Sequence, residues 1–259
     1  MSLSIRQIIT AIEEAAPRNL QEAWDNSGLL VGSSERECSG AMLCLDVTPD
    51  VIRQARDKQC NLVIAHHPVI FKGIKSLNES TAQGRAIIEA IKGDVAIYCA
   101  HTSLDNAPEP WGVSCMMAEM LGAEVIRPLS ETNTGVLASL PQPTEAATFM
   151  NSCRTVFTAS GLRHSRAVGN KQLQTVALGS GACGFLIPEA IKAGADAIVT
   201  SDVRYHDFLD YADHILIIDL THFDTEKCTK EIFKRIISQK FPNFALVFCA
   251  DETNPIEYL

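Results

Sequence analysis

The sequence predicts an α/β protein of two similar lobes, each a sheet flanked by helices, and three observations carry that prediction. Apolar runs alternate with helical patterns from Gly40 onward, the order expected of sheets covered by helices. A stretch at residues 127–144 holds Pro128, Pro141 and Pro143, a shift in composition that suits a boundary between lobes. The parts on either side of it repeat each other weakly.

The elements follow in order. Ile5, Ile8, Ile9 and Ile12, interleaved with Gln7, Glu13 and Glu14, have helical spacing. The segment from Ala23 to Gly32 is read as structural, with Trp24 in the packing and Asp25-Asn26 in a turn. A strand is predicted at 40–46, a helix opened by Thr48-Pro49 over 48–58, and a buried strand at 61–65 that ends on His66. A helix at 81–92 and a strand at 95–100 ending on His101 come next, then a helix at 112–122.

Past the prolines, residues 144–160 read as a helix and strand, 174–178 as a strand and 185–193 as a helix. Strands at 197–200 and 215–219, a long helix at 225–241 and a closing strand at 244–249 complete the pattern. The lobes are expected at 1–127 and 128–259, with the C-terminal segment packing back on the first.

The repeat also aligns the polar groups. Val51 to Ala55 leads through Cys60 to Ala65 to His66-His67, as Leu186 to Ala190 leads through Ala195 to Thr200 to Ser201-Asp202. The next strand of each half ends in a His followed four residues later by a carboxylate, His101 with Asp105 and His222 with Glu226. Ligands of open α/β sheets bind outside the carboxyl ends of strands, so these clusters are candidate functional groups. Imidazoles and carboxylates together suit divalent metals, and a carboxylate can bridge two cations. His66, His67, Asp105, His222 and Glu226 are the expected ligands, in a dinuclear site between the lobes. His101 and His206 are assigned to proton transfer.

Composition excludes other classes. A net charge of −9 without runs of Lys or Arg disfavours nucleic acid. The nine cysteines are scattered without a CxxC pair and have apolar flanks, as buried thiols of a reducing, cytoplasmic compartment do. No stretch suits a bilayer span. The rival reading is Gly179-Ser180-Gly181-Ala182-Cys183-Gly184, which matches the dinucleotide fingerprint GxGxxG after a strand. No second nucleotide-binding half follows it, and a weaker role in holding a substrate phosphate stays open beside a plain tight turn.

Taken together, Trp24-Asp25-Asn26 to Gly32, His66-His67-Pro68, His101-Thr102-Ser103-Leu104-Asp105, the glycine turn, Ser201-Asp202 with Tyr205-His206, and His222 to Glu226 resemble the Nif-three-like family, also called GTP cyclohydrolase 1 type 2 homologs. That resemblance implies the two-lobed fold, two divalent ions (Zn, Fe or Mn) on His66, His67, Asp105, His222 and Glu226, and a toroidal homohexamer. It suggests a metal-dependent hydrolase of a nucleotide-like or heterocyclic small molecule. The alternative is a non-catalytic metal-binding or regulatory scaffold. Leu220-Thr221 before His222 departs from the small residues more usual in the family.

Overall fold

Short apolar runs with no polar alternation, such as Leu62-Val63-Ile64-Ala65, must be covered on both faces, and that requirement organises the fold. The computed structural model describes residues 2–166, 172–250 and 252–258. It divides into two units, one of Met1–Ala107 with Thr229–Thr253, the other of Pro108–Cys228 with Asn254–Leu259.

The first unit comprises α1 (Ile5–Ala15), β1 (Gly28–Val31), β2 (Ala41–Cys44), α2 (Pro49–Asp57), β3 (Leu62–Ala65), α3 (Ala82–Lys92), β4 (Ala96–Cys99) and α4 (Thr102–Asp105). The chain returns to it with α10 (Thr229–Lys240) and β11 (Leu246–Phe248). The strand order is β1-β4-β3-β2-β11. All neighbours are parallel except β1, which runs antiparallel to β4.

Met42, Val63, Ala65 and Ile97 pack with Val51, Ile52, Ala55, Ala86, Ile87 and Ala90 of α2 and α3. The alternate residues Leu43, Ile64 and Tyr98 point the other way and are equally buried. There α10 packs on β2 and α1 packs on α10. Helix starts follow local chemistry: Ser4 and Gln7 form a reciprocal cap on α1, and Thr48 accepts from Val51 N with Pro49 in the first turn of α2.

The second unit comprises α5 (Val113–Met120), β5 (Glu124–Pro128), β6 (Val136–Glu145), α6 (Ala146–Val156), β7 (Leu162–His164), β8 (Gln172–Leu178), α7 (Ile187–Lys192), β9 (Ala197–Ser201), α8 (Tyr205–Tyr211), β10 (Leu216–Leu220) and α9 (His222–Glu226). Its sheet runs β5-β6-β8-β9-β10-β7, with β8, β9 and β10 parallel and the rest antiparallel to their neighbours. One face packs Val176, Val199 and Ile218 with Met117, Phe149, Cys153 and Phe157 from the α5 and α6 region. The other packs Ala177, Ile198 and Ile217 with Leu186, Ile187 and Ala190 beside α7.

The repeat therefore has a structural counterpart, since β2-α2-β3-α3-β4 and β8-α7-β9-α8-β10 are both parallel strands joined by helical crossovers.

Local readings differ in three places. The proline-containing stretch includes the end of β5 and most of β6. The expected division at 127/128 falls within β5, and β6 accommodates Pro141 and Pro143 where its register with β8 shifts between Ser139 and Thr144. The strand expected after the helix within 144–160 starts only at Leu162, as β7. The helix expected at 225–241 is two, because α9 ends at Glu226 and α10 begins at Thr229.

Candidate metal centre

His66 follows directly on β3, a fully buried strand, and is itself 0% exposed. Its Nδ1 lies 3.0 Å from the carbonyl oxygen of Ala100, just past the end of β4. His67 turns its Nδ1 to Asp46 Oδ1 at 2.8 Å, and Asp46 follows the neighbouring strand β2 by two residues. The backbone N–H groups of both histidines donate to β2 carbonyls or their extension, Cys44 O and Leu45 O, so the pair is held by the sheet ladder.

His101 follows β4 and directs its Nδ1 to Asp25 Oδ1 at 2.8 Å. The nitrogens of His66, His67 and His101 lie within 4.8 Å of one another, and their ring centroids are 5.1–5.4 Å apart. Asp105, one turn on along α4, places Oδ2 3.7 Å from His66 Nε2. These four residues thus converge within the first unit.

In the second unit, Thr221 caps α9 by accepting from Asp224 N, and α9 presents His222 and Glu226 on one face. His222 Nε2 lies 2.9 Å from Glu226 Oε2 and its Nδ1 lies 2.7 Å from Asp202 Oδ2. Asp202 has a left-handed backbone, φ 54°, a conformation that Asp tolerates better than most residues and that is frequent at functional sites.

The glycine turn serves this pair. Gly181 has φ +61°, and a Cβ there would fall 2.1 Å from Glu226 Oε1. Its N–H donates to Thr225 Oγ1 of α9, and its carbonyl accepts from Thr200 Oγ1 and Ser201 N. The turn runs into a single 3-10 turn at Gly184–Leu186 and the six-residue α7, so the glycines pack against α9 instead of opening a long helix toward a dinucleotide.

Four histidines therefore share one arrangement, each with Nδ1 against an oxygen that can only accept. Carboxylates and carbonyls have no proton to give, so each Nδ1 carries a hydrogen and Nε2 is the ring nitrogen that could ligate a metal. This is the ring state that metal ligation needs, with its orientation fixed by an outer hydrogen bond. Close lone-pair atoms such as His222 Nε2 and Glu226 Oε2 have the spacing of two donors on one cation. The donor set fits divalent metals.

The partners Asp25, Asp46 and Asp202 did not stand out in the sequence as histidine partners. Asp25 is the most buried, with a side chain 0% exposed. Burial pushes its carboxyl up, but hydrogen bonds from His101 and Thr102 outweigh that and hold it below the usual carboxylate range. Trp24 is 59% exposed, not packed inside, and it forms a rim with Phe71 beside His101 at centroid distances of 5.9 and 6.1 Å. His206 lies on the exposed side of α8 with Tyr205 as its ring neighbour, and it joins none of the His and carboxylate groups found among the described residues.

The family model described as Duf34/NIF3 (NGG1p interacting factor 3) matches residues 3–255. The chain belongs to the Duf34/NIF3 family. A relative from Clostridium acetobutylicum named GTP cyclohydrolase 1 type 2 homolog is 33% identical over 233 residues, covering 87% of this chain and 86% of that protein. A Clostridium perfringens protein of the same name is 29% identical, over 99% of this chain and all of its own length. Among solved structures, a hypothetical protein of Staphylococcus aureus superposes with a TM-score of 0.91 at 25% identity, covering both chains in full. A Bacillus cereus protein related to NIF3 has the same fold, with a TM-score of 0.88 at 21% identity over 100% of this chain and 99% of its own. Among the described residues of this NIF3 member, no helix is long and apolar enough to cross a membrane.

Proposed function

We propose that this NIF3-family chain binds two divalent ions through His66, His67, Asp105, His222 and Glu226 and acts as a metal-dependent hydrolase. The observation that carries the reading is the convergence of donors within each unit: His66, His67 and His101 offer ring nitrogens within 4.8 Å of one another with Asp105 Oδ2 3.7 Å from His66 Nε2, and His222 Nε2 lies 2.9 Å from Glu226 Oε2. Zn, Fe or Mn bound there would supply Lewis-acid chemistry and lower the pKa of water.

The chain's own residues have separate tasks. Asp105 and Glu226 contribute negative charge that offsets the cations. His101, with Nδ1 on Asp25, offers Nε2 as a proton acceptor beside His66 and His67. His206, on the exposed side of α8, is the more remote proton-transfer group. The exposed rings of Trp24 and Phe71, tilted 48° to each other, would offer apolar faces to a planar heterocycle. The relatives' name, GTP cyclohydrolase 1 type 2 homolog, supports a nucleotide-like or heterocyclic substrate. By the same kinship we infer a toroidal homohexamer, and nine free cysteines favour a cytoplasmic setting.

The test is elemental analysis of protein reconstituted separately with Mn, Fe and Zn, followed by assay on GTP and a panel of related heterocycles. Two ions per chain and turnover are expected, with metal lost in His66→Ala and Glu226→Ala. Unchanged metal content in both variants would remove the site. Loaded protein that turns over nothing in a broad panel would favour the non-catalytic scaffold.

A further inference from the structure

Asp25 lies 76 residues before His101, and it gathers hydrogen bonds in a way a turn residue does not require. Oδ1 accepts from Asn26 N at 2.7 Å and His101 Nδ1 at 2.8 Å. Oδ2 accepts from Ser27 Oγ at 3.2 Å, Thr102 N at 3.0 Å and Thr102 Oγ1 at 2.6 Å. A side chain with no exposed surface receives five donors and gives none, a pattern that only an ionised carboxylate satisfies.

Two of those contacts matter for function. The bond to Nδ1 sets the tautomer and direction of His101. The bonds to Thr102 hold the first residue of α4, whose own cap residue, His101, makes no side-chain cap bond. Asp105 is the last residue of the same helical turn, so a shift at Thr102 moves the carboxylate that faces His66.

We infer that Asp25 is a positioning residue of the metal centre, orienting His101 through Nδ1 and Asp105 through the start of α4. The role rests on the proposed metal centre. An Asp25→Asn change keeps the shape but turns an amide N–H₂ toward donors, and one or more of the five bonds must be lost.

The test uses the full-length chain and Zn. In metal-free wild type labelled with ¹⁵N in its imidazoles, the His101 signals, assigned by loss in His101→Gln, are expected to show a hydrogen-bonded proton on Nδ1. Zn affinity, from competition with a chromophoric chelator, is expected to fall at least about tenfold in Asp25→Asn and to recover in part in Asp25→Glu. In an Asp105→Ala background the Asp25→Asn change is expected to cost much less Zn affinity, because the metal ligand it positions is already gone.

A wild-type His101 with no proton on Nδ1 would overturn the inference, as would unchanged Zn affinity in Asp25→Asn. An equal loss with and without Asp105 would also overturn it, by marking general loosening. Should Asp25→Asn not fold, the wild-type tautomer and the Zn affinity of Thr102→Ala, expected to weaken several-fold, decide the question. Wild type that takes up no Zn sinks the metal centre and this role together. Wild type that binds Zn while Asp25→Asn binds it equally sinks this role alone.

Discussion

Gly181 and Glu226 are in such close contact that a methyl group on the first would sit 2.1 Å from Oε1 of the second. The glutamate side chain is 4% exposed, and Gly181 also has a left-handed backbone at φ +61°. Gly181→Ala must therefore displace the carboxylate and strain the turn, at a cost of about 1–3 kcal/mol. Thermal unfolding is expected several degrees lower, with metal content reduced in the folded fraction. A variant with wild-type melting and full metal would contradict the packing.

Metal removal is expected to lower stability by mass action. An ion present at about 100 times its dissociation constant adds about 2.7 kcal/mol, so chelator-treated protein should melt several degrees below protein reloaded with Zn or Mn. In His66→Ala the gap should shrink. An identical melt with and without metal would argue against a site built into the fold.

Lys227 and Asp224 form a second test of local energetics. Asp224 is 3% exposed and accepts from Ser160 N at 2.9 Å, Thr221 Oγ1 at 2.5 Å and Lys227 Nζ at 2.9 Å. Burial pushes its carboxyl up, and hydrogen bonds from Lys227 and Thr221 more than reverse this, leaving it lowered. Lys227→Met strands a buried charge next to α9 and is expected to cost about 2–3 kcal/mol, read from urea denaturation midpoints. Little change on this substitution would mean that the hydroxyl and amide donors suffice.

Burial raises the thiols of Cys38 and Cys153 to about 12 and that of Cys115 to about 11, and lifts Cys44 and Cys99 well above their ordinary value. At pH 8 these groups stay protonated and unreactive, so iodoacetamide followed by peptide mapping should find them unmodified until the protein is unfolded. The sign for stability follows. The unfolded chain ionises these thiols near pH 9 while the folded one holds its protons, so stability is intact below 9 and declines as pH climbs toward 12. Stability that rises over that window would refute the assignment.

Much of this was legible locally. His66 and His67 could be read because an unbroken apolar strand ends on them, and His222 with Glu226 because a four-residue interval puts both on one face of a helical turn. The orienting carboxylates were not, because Asp46, Asp202 and Asp25 reach their histidines across 21, 20 and 76 residues, and no local period encodes such a meeting. Trp24 was read as part of the packing, but the neighbouring Asp25 is the one drawn inside by donors. Strands β5 and β6 were hidden by prolines that normally end a strand and here occupy an exposed, shifted part of the ladder.

The return of residues 229–253 to the first unit has a consequence for biosynthesis. Strand β11 extends the sheet beside β2, and α10 covers that strand while packing on α1, so the unit begun first lacks an edge strand and a helical layer until residues 229–253 have been made. A nascent chain leaving the ribosome would carry the β2 edge and the apolar side of α1 uncovered until residues 229–253 emerge. The first unit can complete its folding only after synthesis of those residues, and an arrested chain that stops short of Thr229 is a natural client for chaperones.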